Sequence, residues 1–264
     1  MIFYYSATGN TAYVTRELAR LTGERHPAVS IPEALSGEKL DIYRDKTLGF
    51  LFPIYGWGVP HIVEDFLQRL PAQLFDDKYI WAVCTCGDEA GKGMCQFASM
   101  IRKISGREPD LLASVIMPNT YVLMPGFNVD STAVEEKKLS AAPHRIAALA
   151  EKIKARETGV YDVTQGSVPG LRSGLLQNLF YLIWDAKPSR WHVNPDTCIS
   201  CGKCARICPV RNIQLGDTDQ RPVWSTNCLG CCACYHVCPT QSIAYGRTTK
   251  GKGQYLFPGY PFKP

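Results

Sequence analysis

No stretch of this 264-residue sequence approaches the roughly 20 apolar residues that a membrane-spanning helix needs. The most apolar window, Leu175 to Trp184, is interrupted by Gln177 and Asn178, so no membrane span is expected. No secretory leader is expected either, because Met1 runs straight into the strand-like Ile2-Phe3-Tyr4-Tyr5. Charge of one sign is scarce: 29 Lys and Arg against 24 Asp and Glu leave a net +5, too small an excess to argue for nucleic acid. There is no G-x-G-x-x-G and no phosphate-loop lysine, which speaks against dinucleotides and ATP, and no NAD(P)H site is visible. The five histidines are scattered and have no evident catalytic partner, so no catalytic residue is assigned. Cysteine is nearly absent outside one segment. Of 12, only Cys84, Cys86 and Cys95 lie elsewhere, and the other nine fall between Cys198 and Cys238. In a chain that otherwise reads as an ordinary cytoplasmic globular protein, such a cluster points to metal binding over disulfides.

Up to about Pro118, short apolar runs alternate with helical patterns, the signature of parallel strands joined by crossover helices. Strands are predicted at Ile2–Tyr5, Ala28–Ile31, Thr47–Phe52, Tyr79–Cys84 and Leu111–Met117. Asn10 to Leu21 reads as a helix, as does the stripe of Ile62, Val63, Phe66, Leu67 and Leu70. Five strands with four crossovers fit a doubly wound α/β sheet. Beyond Asn119, Ser131 to Glu157 holds a helical stretch with Pro143 at a start or kink, and Gly170 to Asp185 reads as a second helix. From Trp191 onward the composition turns to Cys, Gly and Pro, which marks a domain boundary.

The cysteine segment contains one spacing twice. Cys198-x2-Cys201-x2-Cys204-x3-Cys208-Pro209 recurs 30 residues later as Cys228-x2-Cys231-x2-Cys234-x3-Cys238-Pro239, and Ile213 and Ile243 keep the same offset. Three thiolates on one tight loop can hold three irons of a cubane, while the fourth iron points away and needs a distant ligand. In this pattern the fourth cysteine ligates the other cluster. One [4Fe–4S] cluster is therefore assigned to Cys198, Cys201, Cys204 and Cys238, and the other to Cys228, Cys231, Cys234 and Cys208. Zinc knuckles use paired C-x2-C motifs instead of triple runs ending in Cys-Pro. Cys232 is either a competitor of Cys231 or a spare thiol. The segment from 191 to 246 resembles the bacterial-type two-[4Fe–4S] ferredoxins, which implies a small α+β domain and one-electron chemistry at low potential. No Asp or Glu follows Asp219, whereas Arg221, Arg247, Lys250, Lys252 and Lys263 do. That predicts a positive C-terminal face, either a solvated surface or a docking face for an acidic carrier.

After the first strand comes Ser6-Ala7-Thr8-Gly9-Asn10-Thr11, where hydroxyls, a glycine and helix N-terminal amides would cradle a phosphate dianion. Pro53-Ile54-Tyr55-Gly56-Trp57-Gly58 follows the third strand, with two rings, Tyr55 and Trp57, suited to stacking on a flat ligand. Thr85-Cys86-Gly87, opening a loop that runs to Gly91, follows the fourth. All three loops stand at strand C-terminal ends, where open α/β sheets bind ligands. Residues 1 to 118 look like flavodoxin, a resemblance that implies a flavodoxin-like five-stranded parallel sheet and non-covalent FMN.

Taken whole, the chain resembles the flavodoxin–ferredoxin fusion proteins of anaerobic bacteria and archaea. The expected division is 1–160 for the FMN domain with its helical extension, 161–190 for a connector, 191–250 for the cluster domain and 251–264 for a tail. The expected function is electron transfer between FMN, two [4Fe–4S] clusters and a redox protein such as a ferredoxin, a flavodoxin or an oxidoreductase. Two alternatives stand beside it. One is a flavin-dependent reductase of a small organic acceptor (a quinone or nitro compound), with Asn119 to Asn128 as a pocket wall. The other is a redox sensor that changes binding partners.

Overall fold

A computed structural model describes residues 1–37, 45–168 and 187–261. The helix expected at 170–185 lies outside the described residues. Six strands form one parallel sheet: β1 (Ile2–Tyr4), β2 (Val29–Ser30), β3 (Thr47–Pro53), β4 (Tyr79–Cys86), β5 (Leu111–Ile116) and β6 (Val160–Asp162). Their order is β2-β1-β3-β4-β5-β6. The first five follow the flavodoxin-like doubly wound order, in which the chain reverses direction across the sheet between β1 and β3. Helices α1 (Asn10–Thr22), α2 (Ile31–Leu35), α3 (His61–Gln68), α4 (Gly93–Ser105) and α5 (Thr132–Lys154) complete this part.

The central strands are buried on both faces, and β4 divides its side chains between two cores. Ile80, Ala82 and Cys84 join Phe3, Phe50, Phe52, Phe66 and Phe97 on one side. Tyr79, Trp81 and Val83 join Leu18, Leu51, Val115, Ile146 and Leu149 on the other. Gly49 in β3 faces Trp81 across the ladder, and a Cβ there would stand 2.2 Å from the indole. Gly49→Val is therefore expected to cost about 3 kcal/mol by overpacking, read as a lower urea midpoint.

The sheet has one strand more than the sequence pattern suggests. β6 is three residues long, too short to show a period, and pairs with β5 from Leu111↔Val160 to Ala113↔Asp162. It lies across the 160/161 boundary expected for the first domain. Pro143 sits exposed within α5, which runs on from Thr132 to Lys154. Arg145 of α5 donates to the Ser114 and Asp162 carbonyls and, at 2.8 Å, to the Asp162 carboxylate. Lys152 reaches the same carboxylate at 3.0 Å. These cations hold the Asp162 carboxyl down to about 2. With the folded-state value depressed, the stabilisation is complete above the ordinary carboxylate range and is lost as pH falls from about 4 toward 2. Asp162→Asn should reduce the loss of urea stability between pH 5 and pH 3.

The second part carries β7 (Trp191–Val193), α6 (Lys203–Ile207), β8 (Ile213–Leu215), β9 (Pro222–Trp224), α7 (Ala233–His236) and β10 (Ile243–Tyr245). β7 pairs antiparallel with β10, and β8 with β9. The internal repeat is visible in the backbone. Left-handed conformations occur at Ser200 and Gly230, at Gly202 and Cys232, and at Arg211 and Gln241, each pair offset by 30 residues. A small core of Trp191, Ile213, Tyr235, Ile243 and Tyr245 also takes in Val122 and Leu123 from the segment after β5.

Candidate functional site

The cysteines gather into the two expected groups. Cys198, Cys201, Cys204 and Cys238 line one cavity, together with Ile199, Gly202 and Ile243. Cys208, Cys228, Cys231 and Cys234 line another, with Cys232, Trp191 and Trp224. In each group the fourth cysteine comes from the other half of the repeat, because the tight Cys-Pro turn carries it away from its own loop. Equivalent amides serve these two sulfurs: Asn212 N–H donates to Cys208 Sγ and Ser242 N–H to Cys238 Sγ, both at 3.2 Å. Such N–H···S bonds stabilise a thiolate and tune a bound cluster. The Trp191 Nε1–H, buried in the second cavity's wall, has no hydrogen-bond acceptor among the described residues. Burial pushes the Cys231 thiol up to about 12 and the Cys234 thiol well above its usual range. A cationic iron centre is the group that would draw those protons off. Donor set, caged shape and N–H···S bonds together fit a cubane in each cavity.

A separate cleft of about 210 Å³ opens at the C-terminal ends of β1, β3, β4 and β5. Ser6, Ala7, Thr8, Asn10, Thr11, Pro53, Ile54, Tyr55, Gly56, Thr85, Cys86 and Gly87 line it, as the sequence pattern suggests. The Ser6 Oγ is buried at the head of α1, beside the Tyr260 hydroxyl. Thr11 and Thr85 join their hydroxyls at 2.7 Å, which ties the first loop to the third. Tyr5 and Tyr55 join theirs at 3.2 Å, and burial raises both phenols well above their ordinary value.

Three expected residues are not brought to the cleft wall. Gly56 and Trp57 are the centre of a tight turn closed by paired Tyr55–Gly58 hydrogen bonds of 3.0 and 2.9 Å, with both residues at positive φ. That turn sends the Trp57 indole to Glu89, where Nε1–H donates at 3.0 Å, and carries Gly58 away with it. Gly9, at φ 101, lies under the C-terminal segment instead, where a Cβ would stand 2.6 Å from Phe257 Cβ.

Two further parts of the cleft come from outside the three strand-end loops. The segment after β5 supplies Met117, Pro118, Asn119, Thr120, Tyr121 and Leu123, in keeping with the pocket wall expected at 119–128. The cysteine loop Cys228-Leu229-Gly230-Cys231-Cys232 forms another wall. Four of these five residues, all but Gly230, line the second cysteine cavity as well.

The C-terminal segment is a strap. Gln254 donates to the Cys238 carbonyl at 2.9 Å, Tyr255 Oη–H to Asn10 Oδ1 at 2.8 Å, and Phe257 N–H to the Thr8 carbonyl at 2.9 Å. Phe257 stacks on Tyr13 at 4.4 Å, and the Tyr260 hydroxyl donates to the Ser6 carbonyl at 3.3 Å. His236 sits between the parts as a neutral ring, its basicity pushed down to about 4 by burial. Its Nδ1 accepts the Tyr255 N–H at 3.2 Å, so its Nε2–H donates to the Thr120 carbonyl at 2.7 Å. Lys252 is not free for a docking face: its ammonium donates to the Val122 carbonyl at 2.7 Å. Arg221 pairs with Asp219, which further reduces the positive face expected from composition, and Lys263 lies outside the described residues.

Residues 191–245 match the family model described as a 4Fe-4S dicluster domain. No curated protein is detectably similar to the chain. Among solved structures, it is similar to the flavodoxin of Fusobacterium nucleatum bound to flavin mononucleotide, at 16% identity and TM-score 0.41 over 60% of this chain and 97% of that one. A flavodoxin from the domain Archaea gives 16% and 0.35 over 58% and 97%. The rubredoxin oxygen:oxidoreductase of Desulfovibrio gigas gives 18% and 0.35 over 59% and 36%. Likenesses this distant leave the fold assignment resting on the strand order itself.

Proposed function

We propose that this chain, a flavodoxin-like domain joined to a 4Fe-4S domain, is an electron-transfer iron–sulfur flavoprotein holding one FMN and two [4Fe–4S] clusters. The FMN phosphate would lie on Ser6 to Thr11, its ring system between the Pro53–Gly56 and Thr85–Gly87 loops, with Tyr55 as the neighbouring aromatic. The two cysteine quartets would each hold a cubane. Bound FMN supplies the exchange of two electrons with one-electron centres; the chain's own residues fix position and exclude water. The flavin domain on this reading takes in β6 and the strap from Gly253 to Pro261, not only the residues up to 160.

One observation carries the reading: Cys228, Leu229, Cys231 and Cys232 belong at once to the flavin cleft and to a cysteine cavity. Shared walls of this kind make exchange between the two cofactors intramolecular and independent of diffusion. The same loop forms one wall of the cleft, so a bound flavin would border a cysteine cavity there instead of open solvent, which favours a carrier over a reductase. Its partner would be a one-electron redox protein. The test sets reduced holoprotein against a soluble ferredoxin and against a quinone. Rapid exchange with the ferredoxin and no sustained quinone turnover is the expected pattern; sustained turnover of the quinone would make it a reductase.

A further inference from the structure

The two halves of the cysteine repeat are equal in cysteine spacing and unequal in setting. Leu229 and Ile199 occupy equivalent places, each directly after the first cysteine of its loop. Leu229 packs against the core of the sheet domain and lines its cleft. Ile199 is 62% exposed. No residue of the cavity around Cys198, Cys201, Cys204 and Cys238 lines the cleft. A chain of hydroxyls reinforces the difference. Tyr55 lines the cleft, its hydroxyl meets that of Tyr5 at 3.2 Å, and the Tyr5 hydroxyl faces the sulfur of Cys231. Tyr5 belongs to the sheet domain and is fully buried, so one domain places a hydroxyl beside a cluster ligand of the other. Hydrogen bonds to ligand sulfur stabilise the reduced, more negative cluster and raise its potential.

Resting on the function proposed above, we infer that the electron path has a fixed order: flavin, then the cubane at Cys208, Cys228, Cys231 and Cys234, then the cubane at Cys198, Cys201, Cys204 and Cys238, then the external carrier. Tyr5 is the positioning residue that biases the inner cubane. Each passage would move one electron. Two passages would fully oxidise or reduce the flavin, with protons exchanged with solvent, and two molecules of a one-electron redox protein, docking in turn at the outer, solvent-facing cubane, would each accept or supply one electron.

Tyr5→Phe deletes one oxygen and leaves the ring in its core. In the holoprotein, a potentiometric titration followed by electron paramagnetic resonance should show one cluster shifted to more negative potential and the other unmoved. In a Cys198→Ala background, where the outer site lacks a ligand, the remaining intact cubane should still shift. No shift in the wild-type background, or a shift that disappears in the Cys198→Ala background, overturns the inference. Flavin emission gives an independent reading, because Cys208 and Cys238 are equivalent ligands and neither lines the cleft. Cys208→Ala should brighten the quenched flavin, whereas Cys238→Ala should leave it dark; equal or reversed responses contradict the order. A wild-type protein isolated without flavin or iron would instead remove the function on which the order rests.

Discussion

Deleting Leu256 to Pro264 is expected to weaken FMN binding by roughly 100-fold, about 3 kcal/mol on the scale where each factor of ten is about 1.4 kcal/mol. The reason is contact, not charge. Phe257 and Tyr260 lie against Gly9 at the head of α1, close enough that a Cβ on Gly9 would stand 2.6 and 2.8 Å from their β-carbons. Phe257 also holds the Thr8 carbonyl and stacks on Tyr13, and Tyr260 holds the Ser6 carbonyl. Losing a packed aromatic costs about 3–5 kcal/mol, and here the loss falls on the loop that would grip phosphate. The deletion keeps Gln254 and Tyr255, which fasten the cysteine domain. Iron content should therefore stay near that of the full chain while flavin washes out on gel filtration. Retention of flavin at the full-length affinity would show that the strap is only a tether.

The second large effect separates two adjacent cysteines. Cys231→Ala should lower iron from about eight to about four per chain, since a cubane missing a thiolate is not retained. Cys232→Gly should leave iron at the full value. Cys232 stands where the first half of the repeat has Gly202, and both residues have left-handed backbones, with φ 61 and 68. Its thiol donates to the Gly230 carbonyl at 3.4 Å, which makes it a packing group. Stability in Cys232→Gly should stay within about 1 kcal/mol of the parent, relief of the left-handed strain offsetting the lost buried sulfur. Iron analysis and a visible spectrum decide between them; an iron loss in Cys232→Gly matching that in Cys231→Ala would make Cys232 a ligand.

What the sequence reveals and what it hides have physical causes. The strands β1, β3, β4 and β5 are legible because each is a run of apolar residues buried on both faces. The cysteine quartets are legible because cubane geometry dictates a spacing, and the cleft loops because strand ends dictate a place. Trp57 reads as a stacking ring from its company alone. Its direction depends on a two-residue turn whose handedness is set by Gly56 together with a bond to Glu89, 32 residues away. The strap leaves no periodic signature, since Tyr255, Phe257 and Tyr260 act through partners almost 250 residues earlier. The inequality of Leu229 and Ile199 is invisible in the shared cysteine spacing and arises only when one half docks on the sheet domain. Lys252 shows the same limit for charge, because composition cannot tell a surface ammonium from one occupied by the Val122 carbonyl.

The most direct test is chemical analysis of protein purified without oxygen. Iron, acid-labile sulfide and flavin should come to about eight, about eight and one per chain, as two cubanes and one FMN require. A colourless preparation, or zinc in place of iron, would contradict the assignment of both cysteine cavities, and iron without flavin would contradict the reading of the cleft.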